Sequence, residues 1–148
     1  MQVIGWYTAS VSLQSRGNTR SDLRYHFVFI PKYRKRVLTG EIARKIEGMI
    51  RFACQIHEWQ VYDLAICHDH VHLFVQTWPK DSPSFIMNTI KGGTAKKIRE
   101  LFPELEEIYW GASFWADGYL AKSVGDYNAK VVSQYIKNQL EKEKTQAS

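Results

Sequence analysis

The sequence predicts an α+β domain with the ferredoxin-like split βαβ arrangement, an antiparallel sheet with helices on one face, followed by an extra C-terminal helix. Two observations predict it. Short runs of β-branched and aromatic residues alternate with longer stretches in which apolar residues recur every three or four positions. These segments follow one another as strand, helix, strand, strand, helix, strand, helix. The chain of 148 residues has the length of one domain, and no repeat or linker divides it.

Four elements are predicted in the first half of the chain. In order, a strand, a helix and two further strands are expected at Leu23–Ile30, Glu41–Trp59, Val61–Ile66 and His70–Thr77. Pro31 closes the first strand, and the second and third strands should form a hairpin across Cys67–Asp69. Residues 1–20 carry the weakest pattern and are expected to be an N-terminal extension of the single domain.

Three elements follow in the second half. Ser82 has the side chain of a helix N-cap, and Pro83 suits the first helical position after it. Apolar residues then recur at helical spacing, and the helix should end near Pro103. After an aromatic-rich stretch, Tyr119–Val124 is predicted to be the fourth strand, and the last helix should begin at Asp126.

The composition indicates a packed core and a basic surface. Hydrophobic residues make up 45% of the chain, and a formal charge of +5 is compatible with a polyanionic partner, nucleic acid first. No apolar run is long enough to span a membrane and no secretory signal opens the chain, so a cytoplasmic protein without membrane contact is expected. Cys54 and Cys67 are too few for a disulfide scaffold and should be buried. No nucleotide-binding loop is present, so no nucleotide cofactor is expected.

The run His70-Val71-His72 inside a predicted strand is the clearest candidate for a binding site. Side chains alternate along a strand, so His70 and His72 should project from one face about 7 Å apart while Val71 enters the core. Two imidazoles placed in this way can share a divalent cation. The alternative is a pair of ordinary histidines on a half-buried strand, and the isolated pattern favours that alternative. His68 would join the pair only if the strand began early.

The last helix carries a second candidate group. Tyr135 and Gln139 are four residues apart, so they lie on one helical face. A phenol can act as a nucleophile, and a carboxamide oxygen can bind a metal or orient a phosphate. Val132, Ile136 and Leu140 have core-like spacing around them, however, and this pattern by itself favours a packing role for the tyrosine.

Basic residues form two clusters, one after the first strand and one along the second long helix: Lys32, Arg34, Lys35 and Arg36, then Lys91, Lys96, Lys97 and Arg99. Such clusters can neutralise the phosphates of DNA. Three tryptophans, Trp78, Trp110 and Trp115, are expected to be exposed and able to stack on unpaired bases. A solvated helix face and loop would produce the same pattern of charges.

Five segments, in this order, resemble the single-tyrosine HUH transposases, a family that moves hairpin-ended insertion sequences as single-stranded DNA. The segments are Y-H-F-V-F-I-P-K-Y-R-K-R-V-L-T-G at 25–40, D-H-V-H-L-F-V at 69–75, I-K-G-G-T-A-K-K-I-R at 90–99, F-W-A-D-G-Y-L-A-K-S-V-G at 114–125 and Y-I-K-N-Q at 135–139. The second segment matches the HUH strand, in which U is a bulky apolar residue, here Val71. The resemblance covers nearly the whole chain from Tyr25 onward, although His68 stands where the family often has proline.

The resemblance implies roles for residues that their patterns leave open. His70 and His72 would bind a divalent metal, Mg²⁺ or Mn²⁺, and Gln139 would be the third ligand. Tyr135 would be the nucleophile, so the last helix would be the catalytic helix. Tyr127 is a rival by position, but it lacks the Y-x-x-x-Q spacing of the family.

The resemblance also implies a reaction and its partners. Single-stranded DNA with hairpins would be cleaved and rejoined by metal-assisted transesterification through a 5′-phosphotyrosine, without ATP. The protein would be a homodimer with sheets joined edge to edge, and each active site would combine one subunit's histidines with the other's tyrosine helix. Gly125-Asp126 would be the hinge for this exchange. His26 would support the metal ligands or be structural.

Three other functions stay open at this stage. The chain could be a non-catalytic ferredoxin-like module that binds nucleic acid, with structural histidines and tyrosine. It could be a metal-dependent nuclease that activates water, for which the histidine pair alone would suffice. It could also be a domesticated relative that processes repeated genomic hairpins.

Overall fold

The computed structural model describes residues 14–16 and 19–147, with only the backbone of 14, 16, 19, 126–129 and 146–147. The strands are β1 (Gln14–Arg16), β2 (Thr19–Ser21), β3 (Leu23–Phe29), β4 (Gln60–Cys67), β5 (His70–Thr77) and β6 (Leu120–Ser123). The helices are α1 (Gly40–Ile56), α2 (Pro83–Leu101), α3 (Glu106–Tyr109) and α4 (Asp126–Ala147), with 3₁₀ turns at Lys32–Arg34 and Pro103–Leu105.

The main sheet confirms the predicted fold class. Its described strands lie in the order β4-β5-β3-β6, and every neighbouring pair is antiparallel. Helix α1 connects β3 to β4 and helix α2 connects β5 to β6, so each connection passes over one intervening strand. This is the split βαβ topology. Strands β1 and β2 pair with each other in a second, two-stranded sheet. It lies at the end of residues 1–20, the stretch with the weakest sequence pattern, and extends to Ser21.

The element boundaries follow the sequence pattern with one instructive exception. Ser82 caps α2 as predicted, because its side chain accepts a hydrogen bond from the backbone N–H of Phe85 at 3.1 Å. Helix α1, in contrast, ends at Ile56 instead of reaching Trp59. Glu58 has a φ of 60°, which reverses the chain, and the Trp59 N–H then donates to the Cys54 carbonyl at 2.8 Å. The aromatic residue at the end of the periodic run therefore enters the core from a turn.

The larger core lies between the sheet and helices α1 and α2. Alternate residues of β3 and β5 face these helices, and the central members of the cluster are Phe27, Phe29, Val71, Leu73, Val75, Ile46, Ile50, Ile86, Met87 and Ile90. Val71 is fully buried here, as the alternation predicts. Cys54 and Cys67 are buried free thiols, which confirms that prediction, and burial raises the pKa of Cys54 to about 12 despite the nearby charge of Arg51.

The opposite face of the sheet is covered by α4. A small apolar cluster joins the helix to the sheet and consists of Ala65, Phe74, Val124 and Ile136, with Tyr62, Val132 and Leu140 packed against it. The apolar residues of α4 that recur at core-like spacing in the sequence therefore pack against the sheet. Strand β5 is consequently covered on both faces, and the side chains on its α4 side line a partly enclosed site. None of the described helices combines the length and apolar character needed to cross a membrane.

Candidate active site

Strand β5 places both histidines of the predicted pair on the face covered by α4. His72 is 4% exposed and His70 is largely buried, and their rings lie 4.9 Å apart between centroids, nearly perpendicular to each other. Val71 between them lies in the core on the other face. The alternation rule therefore predicted the shared face of the two imidazoles correctly.

Each imidazole is oriented by a second side chain. The Nδ1 atom of His72 lies 3.1 Å from Nε2 of His26, whose ring stacks against it from the neighbouring strand β3. The Nδ1 atom of His70 lies 2.7 Å from Oδ1 of Asp69. Both histidines therefore engage a partner through Nδ1, which leaves Nε2 of each ring available. Metal-binding histidines are commonly held by such a partner on the other ring nitrogen.

Burial keeps the buried imidazoles neutral. Desolvation, together with the nearby His70 and His26, lowers the pKa of His72 to about 4. Desolvation and the charge of Lys122 lower the pKa of His26. Desolvation alone would raise the pKa of Asp69, but the hydrogen bond and charge of His70, with the charges of Arg34 and His68, hold it below its usual range. A neutral imidazole is the form that can bind a metal, and burial favours this form of His72 at neutral pH.

Helix α4 brings Tyr135 to the same place. The Tyr135 ring meets that of His72 edge-on at 5.7 Å between centroids and that of His26 at 6.5 Å. Its neighbour Ile136 is buried in the apolar cluster that holds α4 on the sheet, whereas Tyr135 itself is half exposed. The tyrosine therefore lies at the edge of the packing stripe, with one side facing the histidines.

A cavity of about 630 Å³ unites these groups. Its polar and charged lining comprises His26, Arg34, His70, His72, Lys122, Tyr135 and Gln139. The structure thus gathers all four residues for which the resemblance implied a catalytic or metal-binding role. Arg34 and Lys122 add two cations to the wall, which suits an anionic ligand such as a phosphate.

The donors around the cavity suit a divalent cation. Among the described residues, Nε2 of His72 is buried and has no hydrogen-bond partner. Such an orphaned atom calls for a ligand of its own. The described part of the chain contains no group of three His, Cys, Asp or Glu residues that could hold a metal. Gln139 also lines the cavity, and its side chain carries an amide oxygen that can act as a donor.

One member of the first basic cluster lines the cavity, whereas no member of the second does. Arg34 lines the cavity and its Nε donates to Oδ2 of Asp69 at 3.1 Å, and Lys32, Lys35 and Arg36 lie on the same turn. The second cluster lies on α2, which packs against the opposite face of the sheet. Two of its members hold loops in place: Lys91 donates to the carbonyls of Ala116 and Gly118, and Arg99 to that of Ala112.

The prediction that three tryptophans are exposed is wrong for two of them. Trp78 and Trp115 are 6% and 3% exposed and belong to the larger core. Their indole N–H groups are used internally, since Trp115 donates to Oγ1 of Thr94 at 2.8 Å and Trp78 to the Glu58 carbonyl at 3.1 Å. Only Trp110 of the three is exposed, because its left-handed backbone ends α3 and turns the chain outward.

His68 does not join the cavity. Its backbone N–H donates to Oε2 of Glu143 on α4, and its ring Nδ1 contacts the same oxygen. His68 is therefore a docking point for the C-terminal part of α4. The Tyr127 side chain and the Asp126 side chain of the expected hinge lie outside the described residues.

Sequence reasoning missed two residues of the site. Asp69 orients His70, and the adjacent position in D-H-V-H was the available signal. Lys122 lines the cavity from β6, two residues after Leu120, which lines it as well. Only the pairing of β6 with β3 brings Lys122 opposite His26, so no local signal could have identified it.

Comparisons with known proteins point to one family. The sequence profile described as "Transposase IS200 like" matches residues 19–139. The transposase for insertion sequence element IS200 of Salmonella typhimurium is 35% identical over 131 residues, which cover 88% of this chain and 86% of that protein. The ISDra2 transposase TnpA of Deinococcus radiodurans is 29% identical over 121 residues, which cover 82% of this chain and 86% of that protein.

Solved structures agree with this likeness. The crystal structure of a putative transposase from Deinococcus radiodurans superposes with a TM-score of 0.68 at 28% identity, over 85% of this chain and 96% of the other. A REP-associated tyrosine transposase bound to a REP hairpin superposes with a TM-score of 0.58 at 12% identity, over 83% of this chain and 69% of the other. The second likeness supports the fold alone.

Proposed function

The chain belongs to the family of IS200-like transposases, and from this premise we propose that it cleaves and rejoins single-stranded DNA at hairpin-marked element ends. The reaction would be a transesterification through a 5′-phosphotyrosine. The observation that carries the proposal is the convergence of Tyr135 with His70, His72 and Gln139 in one cavity whose wall also holds two cations. A cavity with a phenol, two metal-binding imidazoles and positive charge suits a scissile phosphodiester.

His70, His72 and Gln139 would hold a divalent metal, Mg²⁺ or Mn²⁺. The fit rests on the free Nε2 of His72 and on the partners that orient both rings through Nδ1. Two imidazoles and one amide oxygen suit Mn²⁺, and the abundance of Mg²⁺ can outweigh that preference. When bound, the cation supplies Lewis-acid polarisation of the phosphate.

Tyr135 supplies the nucleophile. Its Oη forms a bond to phosphorus while the bond from phosphorus to the 3′ oxygen breaks, and the phenolic proton leaves to solvent as the departing oxygen acquires one. The products are a 5′-phosphotyrosine and a free 3′-hydroxyl. Since the number of phosphodiester bonds is conserved, a 3′-hydroxyl of another strand can reverse the step and join new ends without ATP. The half-exposed position of Tyr135 leaves room for the DNA to approach.

Positive charge around the cavity would guide the DNA strand to these residues. Arg34 and Lys122 would contact the phosphates nearest the scissile bond, and Lys32, Lys35 and Arg36 would follow the backbone away from it. The hairpin bound by the REP-associated relative makes a hairpin a reasonable ligand for this fold. Recognition would rest on phosphates and shape, with few base contacts.

A homodimer is part of the proposal. Strand β6 lies at the edge of the described sheet and all four of its residues are exposed, so its backbone groups can pair with a second copy. The shared site that the resemblance implies would require α4 to leave its own sheet, with Gly125 as the pivot. The contact between Tyr135 and His72 within one chain favours an unshared site. A cytoplasmic location also belongs to the proposal.

The test is the covalent adduct. Incubated with Mn²⁺ or Mg²⁺ and hairpin-bearing single-stranded DNA from an element end, the protein should form a protein–DNA adduct that survives denaturing electrophoresis. Tyr135→Phe should abolish the adduct and retain DNA binding. Tyr119→Phe is the matched control, since Tyr119 lies outside the cavity lining and packs against Phe27 and Lys91, and it should react normally.

Other outcomes would select another function. Continued cleavage by Tyr135→Phe would indicate a nuclease that uses water, and binding without any cleavage would indicate a nucleic-acid-binding module. A domesticated relative would form the adduct on repeated genomic hairpins and not on element ends.

A further inference from the structure

The turn that follows β3 contains two consecutive residues in a rarely populated backbone conformation. Tyr33 and Arg34 have φ values of 62° and 50°, and neither is glycine. The left-handed region is unfavourable for a residue with a Cβ atom. The turn is held by the Lys32 N–H, which donates to Phe114 O at 2.8 Å, and by the Arg34 N–H, which donates to Pro31 O at 2.8 Å. Backbone strain of this kind concentrates at functional sites, so a functional role is expected for Tyr33 or Arg34.

Tyr33 is the aromatic residue displayed by this turn. Its side chain is 66% exposed, so packing in the core does not explain its presence. Lys32, Arg34, Lys35 and Arg36 surround it in sequence, and the Lys32 ammonium lies 6.0 Å from the centre of its ring. An exposed aromatic ring among cations is the combination that binds single-stranded nucleic acid, because phosphates meet the charges while a base stacks on the ring.

The turn is joined to the candidate active site through Arg34. This residue lines the cavity, and its Nε donates to the carboxylate of Asp69, which in turn holds His70. Tyr33 is its immediate neighbour, with consecutive Cα atoms about 3.8 Å apart. When the scissile phosphate of a DNA strand occupies the cavity, a nucleotide of the same strand could therefore stack on Tyr33.

Resting on the function proposed above, we propose that Tyr33 is a stacking platform for an unpaired nucleobase next to the scissile phosphate. The ring would hold one base by its face, while the four adjacent cations neutralise the neighbouring phosphates. The contact is insensitive to base identity, because every base has an aromatic face. Tyr33 would thereby align the strand for attack and would not react itself.

Trp110 is the nearest competitor for such a role and fits it less well. It is 87% exposed and also has a positive φ, of 50°. Its neighbours Glu106 and Glu107 are exposed and acidic, however, and although Glu106 pairs with Arg99, the carboxylate of Glu107 would repel a phosphate backbone. The difference in local charge favours Tyr33.

The experiment measures binding and not cleavage, so it uses the non-reactive Tyr135→Phe protein as background. The probes are a fluorescein-labelled oligothymidylate and the same strand carrying one 2-aminopurine, whose emission falls on stacking. Tyr33→Ala should weaken binding about tenfold, which corresponds to about 1.4 kcal/mol, and should abolish the quenching. Tyr33→Phe should retain both. Phe52→Ala, which removes an exposed aromatic ring from α1, should change neither.

A glycine substitution separates this role from a structural one. Tyr33→Gly removes the strain at a positive φ, so it should raise the melting temperature while it weakens binding as much as Tyr33→Ala does. Glu58→Gly is the matched control, because Glu58 has a φ of 60° and should gain stability without any change in binding.

The two proposals fail in different ways. Unchanged binding and quenching in Tyr33→Ala would overturn the stacking role alone. Loss of binding in Tyr33→Ala accompanied by a lower melting temperature, with Tyr33→Phe equally impaired, would also overturn it. Failure of the background protein to bind single-stranded DNA at all would overturn both the stacking role and the proposed function.

Discussion

At the scale of single residues, the cavity depends on groups that orient others. Asp69 is the clearest case, because its two carboxylate oxygens hold His70 on one side and Arg34 on the other. Removal of the carboxylate would free both side chains from their present positions. The loss should appear first in the use of metal, since an oriented imidazole binds a cation better than a mobile one.

Asp69→Ala should therefore lower the rate of adduct formation about 10- to 100-fold at limiting metal. Raising the Mn²⁺ concentration should recover part of the rate, because the ligands themselves are intact. Asp63→Ala is the control: Asp63 lies on the adjacent strand and, among the described residues, pairs with Lys137 of α4 at 3.9 Å. Loss of this contact can loosen α4 but should leave the metal dependence of adduct formation unchanged. A metal titration of adduct formation checks the prediction, and an unchanged metal dependence in Asp69→Ala would contradict it.

Tyr109 illustrates a residue whose polar atom adds no stability. Its hydroxyl is buried and has no hydrogen-bond partner among the described residues. Burial raises the pKa of Tyr109 to about 12, although the charge of Arg99 opposes this rise. The raised pKa means that the folded state prefers the protonated phenol. The free energy of unfolding is therefore unaffected below the unfolded pKa of about 10, where the phenol is protonated in both states, and it falls as the pH rises from there towards the folded value.

Tyr109→Phe should leave the free energy of unfolding at neutral pH unchanged or raise it by up to about 1 kcal/mol. It should also lose less stability than the parent protein between about pH 9.5 and about pH 11. Some alkaline loss should remain in both, because Cys54 also has a raised pKa. Urea unfolding at these pH values measures the difference, and parallel curves for the two proteins would refute this account.

At the scale of elements, α4 is attached to the sheet by a different and smaller apolar cluster than the other two long helices. Helices α1 and α2 share the larger core, whereas α4 is held by the small cluster around Phe74 and Ile136 and by a few polar contacts. Among these contacts, Glu143 accepts from the His68 backbone N–H and contacts its ring. This contact ties the C-terminal part of α4 to the hairpin turn that also carries Asp69 and His70. The position of Tyr135 thus depends on a contact two helical turns further along the chain.

Glu143→Ala should release this end of α4 and slow adduct formation about ten- to a hundredfold, as expected for the loss of one hydrogen bond to a charged group. Hydrogen exchange should accelerate in α4 and stay unchanged in α1 and α2. Glu143→Gln keeps an acceptor oxygen and should recover most of the rate. Glu141→Ala serves as the matched control, since Glu141 is exposed and its one ion pair among the described residues is with Lys144 on the same helix. Equal exchange in the Ala variant and the parent would rule out the docking role.

At the scale of the whole molecule, Tyr135 and His72 contact each other within one chain. The centroid distance of 5.7 Å between Tyr135 and His72 is measured inside a single subunit. A dimer that exchanged α4 would replace this contact by the same contact between subunits. Dimers with and without exchange of α4 contain the same contacts around Tyr135. They differ only in whether Tyr135 and His72 belong to the same subunit or to different subunits.

A mixing experiment assigns the chains. Subunits with Tyr135→Phe are combined with subunits carrying His72→Ala under conditions that allow exchange, and adduct formation is measured. An unshared site predicts no activity, because neither chain contains a complete set of groups. A shared site would restore an adduct to the His72→Ala subunit and would contradict the unshared geometry. Each variant alone provides the baseline.

The local sequence pattern was enough to predict the main helices and strands and part of the candidate site. Residue composition and periodicity together identified the seven main elements and their order. Strands are rich in β-branched and aromatic residues, and a helix must present its apolar residues to one side. The spacing of His70 and His72 determined that they share a face, and the adjacent Asp69 was within reach of the same reasoning. Ser82 and Pro83 indicated the start of α2 because capping depends on neighbouring residues alone.

The tertiary structure decided the rest, because the remaining contacts join residues that are distant along the chain. Packing of α4 on the sheet brings Tyr135 to His72, and strand pairing brings His26 and Lys122 to the same cavity. The burial of Trp78 and Trp115 reversed an expectation drawn from composition, since exposure depends on which elements pack together. The local sequence pattern specifies on which face of a strand or helix a residue lies. Only the tertiary structure decides which other element packs against that face.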